Sequence, residues 1–178
     1  MQANDLRKGT TVLYNKEIYV VTDFHRGSPG NKRAFVQATL RGLSNGRTIQ
    51  NKFASDEEFE RAVLDPKMCQ YLYHDGEGYH FMDMESYHNF ALSDAMIGDA
   101  KYYLKEDMEI KIQFYEGNPV LPEFPKAIVL KVVEAPPGIR GDSVSNTQKA
   151  AVCETGLRVQ VPLFIKEGDE IKINTATG

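Results

Sequence analysis

Apolar residues in this chain recur mostly with a period of two, in short runs cut by turn residues. That pattern builds strands with one buried face and leaves little material for helices. Thr11–Tyr14 leads through the turn Asn15-Lys16 into Ile18–Thr22. Ala34–Leu40 ends at Gly42, and Asn45-Gly46 predicts a hairpin that returns along Arg47–Phe53, because both turn residues tolerate positive φ. Ser55-Asp56-Glu57-Glu58 then predicts the cap of a short helix with Phe59, Val63 and Leu64 on one face. Asp65-Pro66 breaks it, since a residue before proline avoids the helical region.

Two further β units follow. Gln70–His74 and Tyr79–Met82 flank the turn Asp75–Gly78, Ser86–Leu92 reads as a short helix or irregular segment, and Glu109–Tyr115 alternates as a half-buried strand. Gly117-Asn118-Pro119 turns the chain, and Pro122 and Pro125 mark a stiff connection. Ile128–Val133, Leu157–Ile165 and Glu170–Ile173 are strands, and Gly141–Lys149 is polar and loop-like. The fold class is therefore all-β: three small barrels in series, over residues 1–64, 65–127 and 128–178. Each has about five short strands, the size of SH3-like or OB barrels.

No apolar run approaches the ~20 residues that span a bilayer. The start, MQANDLRKGT, has no apolar core of a secretory signal, which makes the cytoplasm the expected compartment. Cys69 and Cys153, the only cysteines, stand too far apart for a zinc knuckle and fit buried apolar positions. The formal net charge is −4, against a general nucleic-acid binder. The distribution is uneven, however. Residues 1–64 carry ten basic and seven acidic side chains, residues 65–127 carry five and twelve, and the remainder carries six of each. From Phe24 to Ser55 there is no carboxylate, while Arg26, Lys32, Arg33, Arg41, Arg47 and Lys52 are all basic. Such a field suits a polyanion, and Arg26, Arg41, Arg47 and Lys52 are candidate contacts to an RNA backbone.

No catalytic constellation is legible. His74, His80 and His88 are spaced by six and eight, which matches no zinc pattern, and nothing sets two carboxylates across one bond. No metal, cofactor or enzymatic activity is expected. The most informative local feature is Gly27-Ser28-Pro29-Gly30-Asn31-Lys32-Arg33, which joins two strands. Pro29-Gly30 preforms a tight turn, so Lys32 and Arg33 lie at or just past the tip of a cationic hairpin. A projecting finger of this kind reaches between phosphates.

These residues and the three-unit organisation resemble the bacterial elongation factor P family over essentially the whole chain. The most specific element is Lys149-x-Ala151-x4-Gly156-x2-Val159-x-Val161-Pro162-x2-Ile165-x2-Gly168. Pro29-Gly30 followed by Ala34-Phe35, Tyr71-Leu72-Tyr73 with Asp75-Gly76, Ile97-Gly98-Asp99, and Pro137-Gly138-Ile139-Arg140-Gly141-Asp142 agree as well. The resemblance implies an SH3-like, KOW-type first domain and two OB-type domains with a tRNA-like overall shape. It implies a monomeric translation elongation factor that binds the 70S ribosome, without membrane partners, between the peptidyl and exit tRNA sites. There it relieves stalling at consecutive prolines. The hairpin tip, Pro29, Gly30, Asn31, Lys32 and Arg33, would reach the peptidyl tRNA among ribosomal RNA. Gly98 and Asp99 would touch a small-subunit protein, and Arg140, Gly141, Asp142 and Ser143 would lie near mRNA at the exit-site codon. Many members carry a lysine or arginine directly after Pro-Gly, altered by a tip-modifying enzyme; here Asn31 takes that position. Members usually continue past the position of Gly178 through a last short strand, so the closing edge of the third unit is expected to be looser.

Overall fold

A computed structural model describes residues 1–30, 32–137 and 148–178. The first sheet begins with β1 (Thr11–Tyr14), which turns into β2 (Glu17–Gly27). Asn15 and Lys16 make that turn with φ of 50° and 65°. β3 (Phe35–Gly42), β4 (Thr48–Ala54) and the two-residue β5 (Glu60–Arg61) complete the order β4-β3-β2-β1-β5.

β2 runs five residues beyond the expected Thr22. Its register against β3 shifts between Val21 and Asp23, so Thr22 is the extra residue of a bulge. The bulge exchanges the two faces. Val21 is buried before it, and Phe24 packs against the same core after it. The alternation of apolar residues is broken at this point, which is why it hides the strand's second half.

The helix expected from Ser55 onward is absent. Backbone groups there bond across the sheet: Ser55 N–H donates to Ala34 O, Phe59 N–H to Met1 O and Ala62 N–H to Thr11 O. The N-terminal segment thus supplies acceptors that a helix would have provided internally. Phe59 joins the core with Leu6, Val12, Val36, Leu40 and Phe53, whereas Val63 is 77% exposed.

The second sheet has the order β10-β9-β6-β7-β8. Its strands are β6 (Asp65–Asp75), β7 (Gly78–Asp83), β8 (Asn89–Leu92), β9 (Glu109–Tyr115) and β10 (Asn118–Glu123). Ser86–Leu92 therefore contains a strand, not a helix. The Asp83 carboxylate accepts from the Glu85 N–H at 2.9 Å, Tyr87 sits at φ 60°, and the chain folds back on β7. Helix does form next, where no apolar periodicity predicts it: α1 (Asp94–Ile97), N-capped by Ser93, runs into a 3₁₀ segment Gly98–Tyr103. Pro119 and Pro122 lie inside β10, not in a connection. β10 is an edge strand, so a missing N–H costs no ladder bond on its open side.

The third sheet, in the order β13-β12-β11-β14, comprises β11 (Ala127–Glu134), β12 (Gln148–Cys153), β13 (Arg158–Pro162) and β14 (Glu170–Asn174). Gln148 and Lys149, expected in a loop, open β12 instead, and the rest of that expected loop, residues 141–147, lies outside the described residues. The second sheet is tied to this one. Tyr103 and Met108 pack against Ile128, Leu130 and Ile173, and the Thr155 hydroxyl donates to Tyr102 O at 2.6 Å. No described helix is long and apolar enough to cross a membrane.

Candidate nucleic-acid interface

The β2–β3 hairpin carries the candidate tip. Gly27 opposite Phe35 is its last registered pair, and the described residues between them, 28–30 and 32–34, take no part in the ladder. Lys32 N–H donates to Pro29 O at 2.8 Å, closing the turn that Pro29-Gly30 initiates. Ser28, Pro29, Gly30, Lys32 and Arg33 are all exposed, and Asn31 lies outside the described residues. Among the described residues neither Lys32 nor Arg33 has a carboxylate partner. An exposed, unneutralised pair of cations at the end of a hairpin is free to meet phosphate.

The other four candidate cations do not converge. Arg26 pairs with Val36 and shares the core face of the sheet, whereas Lys52 pairs with Gln37 on the outer face. Both lie near the hairpin's neck, on opposite sides of it. Arg41 is six residues along β3 from Phe35, roughly 20 Å away. It lines a cleft with Val20, Leu43, Met96 and Pro122, where the first two sheets meet. Arg47 sits in the β3–β4 turn, its N–H held by the Asn45 side-chain oxygen at 2.8 Å.

Arg26 is held in place by residues that the sequence reading passed over. Its guanidinium donates to Asn4 O at 2.8 Å and lies 5.2 Å from the centre of the Phe24 ring. Arg7 approaches the same ring at 5.9 Å and donates to Leu6 O and Asn4 O. Two guanidinium groups thus flank one aromatic ring at the hairpin base. The signal for this cluster was the parity of Phe24 and Arg26, which the bulge at Thr22 inverts. Nearby, Lys8 pairs with Asp23 at 3.1 Å and holds that carboxyl below its usual range.

Gly98 closes α1 at φ 54°, and Asp99 is exposed in the 3₁₀ segment. Arg140, Gly141, Asp142 and Ser143 lie outside the described residues. The histidines are dispersed. Tyr73 pairs with His80 and His74 with Tyr79, which sends the two imidazoles to opposite faces of the β6–β7 hairpin. His80 meets Asp75 at 2.8 Å and His74 meets Asp94 at 3.0 Å. Both cysteines are buried, and burial pushes the Cys69 thiol up to about 11, far from a reactive thiolate.

The sequence matches the elongation factor P (EF-P) KOW-like domain over residues 2–59, the elongation factor P (EF-P) OB domain over 64–121 and the elongation factor P C-terminal domain over 128–178. Elongation factor P of Thermotoga maritima is 42% identical over 178 residues, covering all of this chain and 96% of that protein. The Caldanaerobacter subterraneus subsp. tengcongensis protein of the same name is 43% identical over 176 residues, covering 99% and 95%. Among solved structures, eukaryotic translation initiation factor 5A from Methanococcus jannaschii superposes with a TM-score of 0.58 at 18% identity. That likeness covers 67% of this chain and 88% of that one, and it speaks to the fold alone. With KOW-like and OB domains matched in series and full-length relatives at this identity, the chain belongs to the elongation factor P family of translation elongation factors.

Proposed function

We propose that this elongation factor binds the 70S ribosome between the peptidyl and exit tRNA sites and relieves stalling at consecutive prolines. Its three domains, residues 1–64, 65–127 and 128–178, act in the cytoplasm as one monomeric body. The hairpin tip contacts the CCA end of the peptidyl tRNA. Arg26, Arg41, Arg47 and Lys52 contact RNA backbone, Gly98 and Asp99 a small-subunit protein, and residues 140–143 the exit-site codon. The observation that carries this reading is the exposed Lys32–Arg33 pair, at the end of a hairpin and without a counter-ion among the described residues.

The chemistry requires no catalytic group. Proline is a poor nucleophile for peptide transfer because its ring constrains the amine and the nascent chain. Holding the peptidyl tRNA in a reactive pose lowers the barrier through orientation alone. A purified translation reaction on a three-proline message tests the idea. Lys32→Ala and Arg33→Ala are each expected to slow rescue by about tenfold, the kinetic equivalent of one charge-assisted contact. Both side chains are exposed, so the folding stability of either variant should stay within about 0.5 kcal/mol of wild type. Normal rescue by both would remove the tip from the mechanism.

Asn31 supports a second reading, in which the tip works unmodified and favours other stalling motifs. A native mass equal to the bare sequence, with relief of stalls other than the three-proline one, distinguishes it.

A further inference from the structure

We propose that Phe35 is a positioning residue: seated on Gly27 and roofed by Lys52, its ring fixes the direction in which the tip projects. This rests on the rescue function proposed above. The hairpin faces a mechanical problem at its neck. Gly27 ends the ladder on one arm, and a glycine in a strand offers neither a side chain to pack nor any restriction of its backbone. The described residues between it and Phe35 take no part in the ladder. A cationic loop on so loose a base would sample a cone of directions, and orientation would be lost.

Phe35 removes that freedom from three sides. Its ring lies across Gly27, so closely that a methyl group built on the glycine would come within 3.0 Å of Cζ, Cε1 and Cε2. Only the absence of a side chain permits this seat, which covers the glycine as an aromatic neighbour can. From the far side, Lys52 reaches diagonally across the outer face of β4 and sets its ammonium 5.0 Å from the ring centre. Phe35 is also paired with Ala54 of β4, and Ser55 N–H bonds the carbonyl of Ala34, just outside the pair. Gly27, Phe35 and Lys52 come from three different strands and meet at the one place where the tip joins the sheet. Lys52 thereby acts through the ring as a brace, a role separable from contact with a phosphate.

The experiment has a structural and a functional arm, both on the full-length protein. In NMR spectra of wild type, the Gly27 Hα resonances are expected to be shifted by the Phe35 ring current, and the Lys32 and Arg33 amides to be ordered. Phe35→Leu abolishes the shift and lowers the order of both amides; Phe35→Tyr retains them. In the three-proline reaction, Gly27→Ala and Phe35→Leu lower the maximal rescue rate by on the order of tenfold to a hundredfold, the scale of a misplaced reacting geometry. The concentration giving half-maximal rescue stays within about twofold, since the surface that binds the ribosome is unchanged. Lys52→Gln, which also gives up an RNA-backbone contact proposed above, lowers the maximal rate in the same sense and raises the half-maximal concentration as well. Unperturbed Gly27 Hα shifts in wild type would overturn the proposal. So would a raised half-maximal concentration with an unchanged maximal rate in Gly27→Ala and Phe35→Leu, which is the mark of weakened binding and not of a misdirected tip. If wild type itself leaves the stall unrelieved, the rescue reading falls, and the brace is decided by the amide order alone.

Discussion

Asp83 is the one buried charged side chain among the described residues. It stays ionised because its oxygens are occupied. The Glu85 N–H donates at 2.9 Å, the Ser86 N–H is near, and Lys67 stands 3.6 Å away. The Glu85 hydrogen bond contributes most to holding the carboxyl below the ordinary aspartate range, and burial opposes it. A folded pKa below the unfolded one means that the carboxylate's stabilisation is complete above the unfolded value, near 3.9. It is lost as pH falls through the folded value. Asp83→Asn keeps an acceptor but gives up the charge, and should cost about 1–3 kcal/mol at neutral pH. Urea unfolding at a series of pH values should show that deficit constant above about pH 5 and shrinking below pH 4. A deficit that persists undiminished at pH 3 would mean that the charge is not what matters.

Elements differ in how far they are determined by their own residues. The turns at Asn15-Lys16, Gly46 and Gly117 all carry positive φ, and each is written locally in residues that tolerate it. Pro29-Gly30 likewise announces the tip. What the sequence conceals is set by partners far along the chain. After a turn at Ser55-Asp56 the chain runs extended into β5 because Met1 bonds Phe59 from 58 positions away, and β8 is a strand because β7 lies beside it. The Arg7–Phe24–Arg26 cluster and the Phe35 seat escape notice for the same reason, since one depends on a bulge and the other on a glycine in a different strand. The β6–β7 hairpin tests this distinction within a single element. Gly78 holds φ 130°, and a Cβ there would run into the Leu92 carbonyl group of β8, whereas a Cβ on Gly76 would meet nothing within 4 Å. Gly78→Ala is expected to lose about 2–3 kcal/mol of stability through strain and crowding. Gly76→Ala, two residues away, should stay within about 0.5 kcal/mol. Denaturant midpoints of the two variants are the comparison, and equal losses would defeat the steric account.

At the scale of the whole molecule, the charge is separated and the packing is unequal. The first 64 residues carry ten basic and seven acidic side chains and the next 63 carry five and twelve, so a net-positive unit is followed by a net-negative one. For a rigid tip to be useful, the body behind it must also transmit position, and the join between the second and third sheets is built for that. Tyr103 and Met108 extend from the second unit into the core of the third, Thr155 bonds the Tyr102 carbonyl, and Lys105 meets Glu154 at 3.0 Å. The half-exposed ion pair adds little, so the aromatic insertion carries most of the coupling. Tyr103→Ala should therefore cost about 1–3 kcal/mol, less than a fully buried aromatic because the ring is only partly covered. Its more telling effect is on cooperativity. Hydrogen exchange of β9 and β14 amides is expected to report a common opening in wild type and separate openings in Tyr103→Ala, with β14 the faster. The β3 amides, in a sheet that does not share this join, should keep their protection. Loss of protection in β3 to the same extent as in β14 would show that the ring stabilises the chain globally and does not weld these two units together.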